Sequence, residues 1–342
     1  MNPTLLTRTA QALVAGGKGI LAMDESNPTC NKLFAEPGIP QTKEARRAYR
    51  EMIVTTPELG ESISGAILFD ETVLQQTKDG IPFLKVLASA GIILGIKVDA
   101  GVKPLAGHPG ETVTEGLDGL RERLNGYFQI GARFAKWRAV IPVGEGIPSR
   151  SGLEANAHAL ARYAAMSQEA GLVPLVEPEV LMTGDHSLAR CFEVTREVLR
   201  NVFIQLNCQR VLLEGMLLKP NMVLPGLAWP DEASLNEVAD ATVHCLLQTV
   251  PAAVPGIMFL SGGQSPELAS ARLNAMNVNF GSRAPWDLSF SYGRAIQQPA
   301  LEIWSGQEAN VPAAQEALLH RVRCNRAARR GKYIGTLEKY LA

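Results

Sequence analysis

In Leu218-Lys219-Pro220 a lysine stands between apolar neighbours, where its amine loses part of its hydration. Burial or nearby positive charge favours the neutral amine, the form that attacks a carbonyl carbon. Lys136 and Arg138 could supply that charge. A lysine lowered from about 10.4 to roughly 7 or 8 forms a Schiff base at neutral pH. The route also needs proton donors and acceptors for carbinolamine dehydration, for abstraction beside the iminium and for the final hydrolysis, and Asp24, Glu177 and Glu179 offer carboxylates. Taken pair by pair, the same charges equally fit a structural ion-pair network.

Two other segments suit an anion: Leu260-Ser261-Gly262-Gly263 and Ser291-Tyr292-Gly293-Arg294. Small residues let backbone N–H groups approach phosphate oxygens, and an arginine adds a bidentate contact. A phosphorylated substrate is expected. The histidines His108, His158, His186, His244 and His320 form no HxH or HxxxH pair, and the five cysteines form no CxxC pair. No metal site and no cofactor are therefore expected. His158 and His244 read as surface or packing residues, Cys30 and Cys191 as inert thiols, and His186 receives no role.

These groups need a frame to gather them. Eight short apolar runs recur, each closing on a polar residue and each followed by helix-period sequence: 19–24, 63–70, 92–99, 134–141, 172–180, 211–221, 256–263 and 288–294. Amphipathic stretches at 44–50, 153–170, 188–206 and 234–248 read as helices. Strand and helix alternating eight times predict a single-domain (β/α)₈ (TIM) barrel over residues 1–330, with a C-terminal helix and a short tail at 331–342. Reacting groups of such barrels gather where the strands end. Those ends hold Asp24, Asp70, Lys97 with Asp99, Lys136 with Arg138, Glu177 with Glu179, and Lys219. Residues two apart share a strand face, so each pair can enter the lumen while Trp137 points outward. On the sixth strand Gly215, Leu217 and Lys219 would share that face, with Gly215 leaving space low in the barrel.

The net charge of −1 gives no global field for nucleic acid or an anionic membrane, and apolar runs are too short to span a bilayer. Scattered cysteines in an odd total suit a reducing compartment, and a cytoplasmic protein is expected.

In these residues the chain resembles the class I fructose-1,6-bisphosphate aldolases, most nearly their plastid and cyanobacterial branch. Six blocks carry the resemblance: Gly19 to Ser26, Phe134 to Arg138, Val176 to Glu179, Leu213 to Asn221, Phe259 to Ser265, and Phe290 to Arg294. The resemblance implies that Lys219 forms the Schiff base with the C2 carbonyl and that Glu177 is the acid and base around the imine. It implies that Asp24 assists C3–C4 cleavage, that Lys136 and Arg138 position and polarise, and that Glu179 keeps Lys219 and its neighbours oriented. Ser261, Gly262, Gly293 and Arg294 would bind the C1 phosphate, and Ser26, Lys32 and Lys97 match positions near the other. The implied products are dihydroxyacetone phosphate and glyceraldehyde 3-phosphate; sedoheptulose 1,7-bisphosphate is a further expected substrate, and a homotetramer the expected assembly. Three departures stand out: Leu33 replaces the family's basic residue, Ala100 replaces a lysine, and the chain ends at Tyr340-Leu341-Ala342, making Tyr340 the stand-in for a terminal tyrosine on a longer tail. The residues also leave open a Schiff-base barrel acting on another sugar, an isomerase without a covalent lysine, and a catalytically silent scaffold.

Overall fold

A computed structural model describes the backbone of residues 1–341 and the side chains of residues 1–338. Ten strands form: β1 (Gly19–Met23), β2 (Ile63–Leu68), β3 (Ile93–Lys97), β4 (Gly101–Pro104), β5 (Thr112–Glu115), β6 (Phe134–Ile141), β7 (Val173–Val180), β8 (Leu217–Leu218), β9 (Gly256–Phe259) and β10 (Asp287–Tyr292). Eight of them close a parallel barrel in the order β1-β10-β9-β8-β7-β6-β3-β2, as the alternation of strand and helix predicts. The four expected helices are present as Lys43–Val54, Arg150–Glu169, Leu188–Cys208 and Leu235–Leu247. Among the described residues no helix is long and apolar enough to cross a membrane.

The lumen is layered, and the layering follows from period-2 sequence. β6 sends Phe134, Lys136 and Arg138 inward, and β7 sends Val173, Leu175, Glu177 and Glu179; on both strands apolar residues lie low and charged ones high. The floor is sealed by the helix Pro3–Val14, whose Leu6, Ala10 and Leu13 are buried against Phe134, Val173, Leu175, Leu217 and Met258. Gly95 makes room for the Phe134 ring: a Cβ there would lie 2.2 Å from Phe134 Cζ. Outside, Trp137 stacks on Tyr163 of the helix Arg150–Glu169 at 5.5 Å and 22°, the outward orientation that period 2 requires.

Two features differ from the sequence expectation. The sixth barrel strand, expected over 211–221, is only Leu217–Leu218, and Leu213–Gly215 form a 3₁₀ turn. The cause is the floor helix. A Cβ on Gly215 would lie 2.9 Å from Leu6 Cβ, and the Gln168 side chain takes the carbonyls of Leu212 and Gly215 that a longer strand would offer its neighbour. The second difference is an antiparallel hairpin of β4 and β5 beside the mouth, too short to leave a periodic signal. Thr112 and Thr114 of β5 donate hydroxyl bonds to Val140 and Arg138 carbonyls of β6.

Candidate active site

The strand register brings the charged residues together. β6 and β7 pair Lys136 with Leu175 and Arg138 with Glu177, so Lys136 sits one step below Glu177 on the adjacent strand. β7 and β8 pair Val176 with Leu218, and the Lys219 amide donates to Val176 O at 2.7 Å, which sets Lys219 alongside Glu177. Lys219 Nζ then lies 3.1 Å from Glu177 Oε1. Lys136 Nζ lies 3.0 Å from Glu177 Oε2 and 2.7 Å from Asp24 Oδ2 at the end of β1. All four side chains are buried. Glu177 Oε2 makes its ion contact outside hydrogen-bond geometry and has no hydrogen-bonding partner, leaving a lone pair for a proton in transit.

Burial pushes the Asp24 carboxyl up, but Lys136 and Lys219 outweigh it and hold Asp24 down at about 2. Glu177 is likewise lowered, because Lys136, Lys219 and Arg138 overcome its burial. Burial works against the Lys136 ammonium, yet Asp24 and Glu177 keep it charged. The sequence expectation that Lys136 and Arg138 keep Lys219 neutral meets a different arrangement. Lys136 is matched by Asp24 and Glu177, Arg138 is paired with Glu179, and Lys219 faces a carboxylate directly. The two head groups, 3.1 Å apart, are within reach of a direct proton transfer. Glu179, expected to keep Lys219 and its neighbours oriented, grips Arg138.

The residues to which the resemblance gives a role, from Asp24 to Arg294, all line one cleft of about 620 Å³ at the C-terminal ends of the strands. On one side the loops after β9 and β10 meet: Arg294 donates to Gly262 O at 3.2 Å, and Ser261, Gly262 and Gly293 face the cleft. Gly262 has φ +59°, a left-handed conformation that glycine adopts without strain, and a Cβ there would lie 3.1 Å from Met182 Sδ. Gly293 caps the helix Arg294–Trp304, whose N-terminal N–H groups add an anion-attracting field. The helix Asn27–Ala35 and its cap, which follow the adjacent strand β1, bring Ser26, Lys32 and Leu33 to the same cleft. Lys97 lies there too, with its amine held by Asp99, so a phosphate would have to draw it away.

Ser291, in the segment Ser291-Tyr292-Gly293-Arg294, is a further site residue that its type alone does not single out. Its buried hydroxyl has no hydrogen-bonding partner and opens on the cleft, a position that period 2 from the lumen-facing register could have indicated. Asp70, by contrast, accepts from Tyr127 OH at 2.6 Å and is not part of this cleft. The Tyr340 side chain lies outside the described residues.

Comparison with known proteins follows the same lines. The family described as fructose-bisphosphate aldolase class-I matches residues 5–342. A probable fructose-bisphosphate aldolase class 1 of Xanthomonas campestris pv. campestris is 58% identical over 336 residues, covering 98% of this chain and 100% of that protein. Chloroplastic fructose-bisphosphate aldolase 2 of Pisum sativum is 52% identical over 330 residues, covering 96% and 93% respectively. Among solved structures, fructose-bisphosphate aldolase of Plasmodium falciparum, crystallised with TRAP and a small-molecule inhibitor, superimposes with a TM-score of 0.95 at 46% identity, covering 97% of this chain and 96% of that one.

Proposed function

The chain belongs to the class I fructose-bisphosphate aldolases, whose reaction is the reversible cleavage of fructose 1,6-bisphosphate through a lysine Schiff base, and we propose that Lys219 is that lysine and Glu177 its acid and base. The observation that carries the assignment is the 3.1 Å contact between their buried head groups. Glu177 accepts a proton from Lys219, the free amine adds to C2 of the ketose, and the carbinolamine loses its hydroxyl as water using a proton returned by Glu177. The iminium is the electron sink for the next step. Asp24, held ionised, takes the proton of the C4 hydroxyl as the C3–C4 bonding pair moves toward the iminium nitrogen. Glyceraldehyde 3-phosphate leaves and an enamine remains. Protonation at C3 and hydrolysis of the imine then release dihydroxyacetone phosphate and restore Lys219.

In this reading Lys136 positions both carboxylates and polarises the sugar hydroxyls between them, with Arg138, braced by Glu179, completing the wall. Ser261, Gly262, Gly293 and Arg294 bind the C1 phosphate, and Ser26, Lys32 and Lys97 the distal one. Leu33 supplies no charge beside Lys32, which lowers affinity for the distal phosphate. The reacting atoms of sedoheptulose 1,7-bisphosphate are the same, so we include it as a substrate. Tyr340 is assigned enamine protonation; removing Tyr340 to Ala342 should slow exchange of the C3 proton, and an unchanged rate would withdraw it. A homotetrameric, cytoplasmic enzyme is part of the same reading, supported by the family resemblance and by cysteines that are all unpaired. The direct test is Lys219→Met: turnover should vanish while the circular dichroism spectrum is retained. Retained turnover by the variant would overturn the assignment.

A further inference from the structure

The helix Val311–Arg329 carries His320 and Cys324 four residues apart, so their side chains share one face. The segment Gly335–Leu341 returns to that face and delivers Glu338. His320 Nε2 lies 3.5 Å from Cys324 Sγ and 3.4 Å from Glu338 Oε2. All three ligand atoms fall within 4.8 Å of one another. Zinc bonds of about 2.3 Å to sulfur, about 2.0 Å to nitrogen and about 2.1 Å to oxygen, at tetrahedral angles, set neighbouring ligand atoms about 3.4 to 3.6 Å apart. The two separations observed fall at those values before any ion is present.

We propose that His320, Cys324 and Glu338 bind one Zn²⁺, or a similar borderline divalent cation, with the fourth position taken by water. Bond formation at Sγ displaces the thiol proton to solvent, while the His320 Nε2 lone pair and the Glu338 carboxylate supply the other two bonds. The surroundings match those of ligating groups. Tyr333 OH donates to Glu338 Oε1 at 2.6 Å, and Arg321 donates to Oε2, so the carboxylate is held in place from both sides. Arg321 also opposes a cation, but Glu267 Oε1, 3.9 Å from its guanidinium, offsets that charge. His320 and Glu338 keep 14% and 21% side-chain exposure, giving the ion a way in, while Cys324 is buried. None of these residues lines the barrel cleft. It departs from the sequence expectation of no metal because HxxxC alone is only a pair, and folding supplies the third ligand. A bound ion would fasten the C-terminal segment to the helix.

Cobalt titration of the chelator-stripped full-length chain tests this. One equivalent of Co²⁺ per chain should produce tetrahedral d–d bands with thiolate-to-cobalt charge-transfer absorption, and Zn²⁺ should displace it. Cys324→Ser should remove the charge-transfer band, His320→Gln should weaken binding at least about 100-fold, and Cys208→Ser, at an exposed thiol elsewhere, should change nothing. Absence of a stoichiometric band, or its survival in Cys324→Ser, would overturn the proposal. X-ray absorption of the cobalt-loaded wild type avoids any folding defect of the variants: one sulfur with nitrogen and oxygen neighbours is expected, and a shell without sulfur would refute it.

Discussion

Replacing Lys136 by methionine keeps an unbranched chain one heavy atom shorter and deletes the charge that two buried carboxylates share. Breaking a buried ion pair from one side costs about 3 to 5 kcal/mol, because the remaining charge is left uncompensated. The loss has a pH signature. In the wild type the Asp24 carboxyl titrates at about 2 when folded, against an ordinary 3.8. That gap is worth about 2 kcal/mol of stability, complete above the unfolded value and lost as the pH falls toward the folded one. Without Lys136, burial is opposed at Asp24 only by Lys219 and Lys97, and Glu177 loses a partner as well. Folded carboxyls in the variant then hold protons more tightly than in the wild type, so the variant gains less stability than the wild type as pH rises through their range. Urea unfolding followed by far-ultraviolet circular dichroism at about pH 3 and about pH 6 should show the deficit of Lys136→Met growing with pH, by about 1 kcal/mol. A deficit that is constant or shrinks toward pH 6 would refute the electrostatic account of this site.

Arg294→Ala should raise KM for fructose 1,6-bisphosphate by about 10- to 150-fold, the equivalent of about 1.5 to 3 kcal/mol for a charged hydrogen bond, with a smaller change in kcat; steady-state kinetics showing an unchanged KM would remove Arg294 from the phosphate site. Trp137→Ala should cost about 3 to 5 kcal/mol through the cavity left beside Tyr163, measured by denaturant unfolding, while KM of the folded protein stays at the wild-type value. An altered KM there would mean that the outward ring reaches the site.

The barrel was legible because its strands repeat one chemical pattern: β6 and β7 carry apolar residues low and charged residues high on the same face, and that alternation reads directly from Phe134-Ala135-Lys136-Trp137-Arg138. The short β8 was not legible, since its lower part is set by Leu6 and Gln168, which lie far away in sequence. The candidate residues could likewise be placed at strand ends, but their pairing could not. Whether Glu179 meets Lys219 or Arg138 depends on the stagger between neighbouring strands, which sequence does not print. Ser291 was visible as a strand-end hydroxyl, yet only burial without a partner marks it as facing the cleft.

The most direct measurement of the central claim is borohydride reduction of the protein incubated with dihydroxyacetone phosphate in the presence of EDTA, followed by peptide mapping. One reduced adduct per chain on the peptide carrying Lys219 is predicted, with none in Lys219→Met. An adduct on Lys136 or another lysine, or no adduct in an enzyme that still turns over, would contradict it.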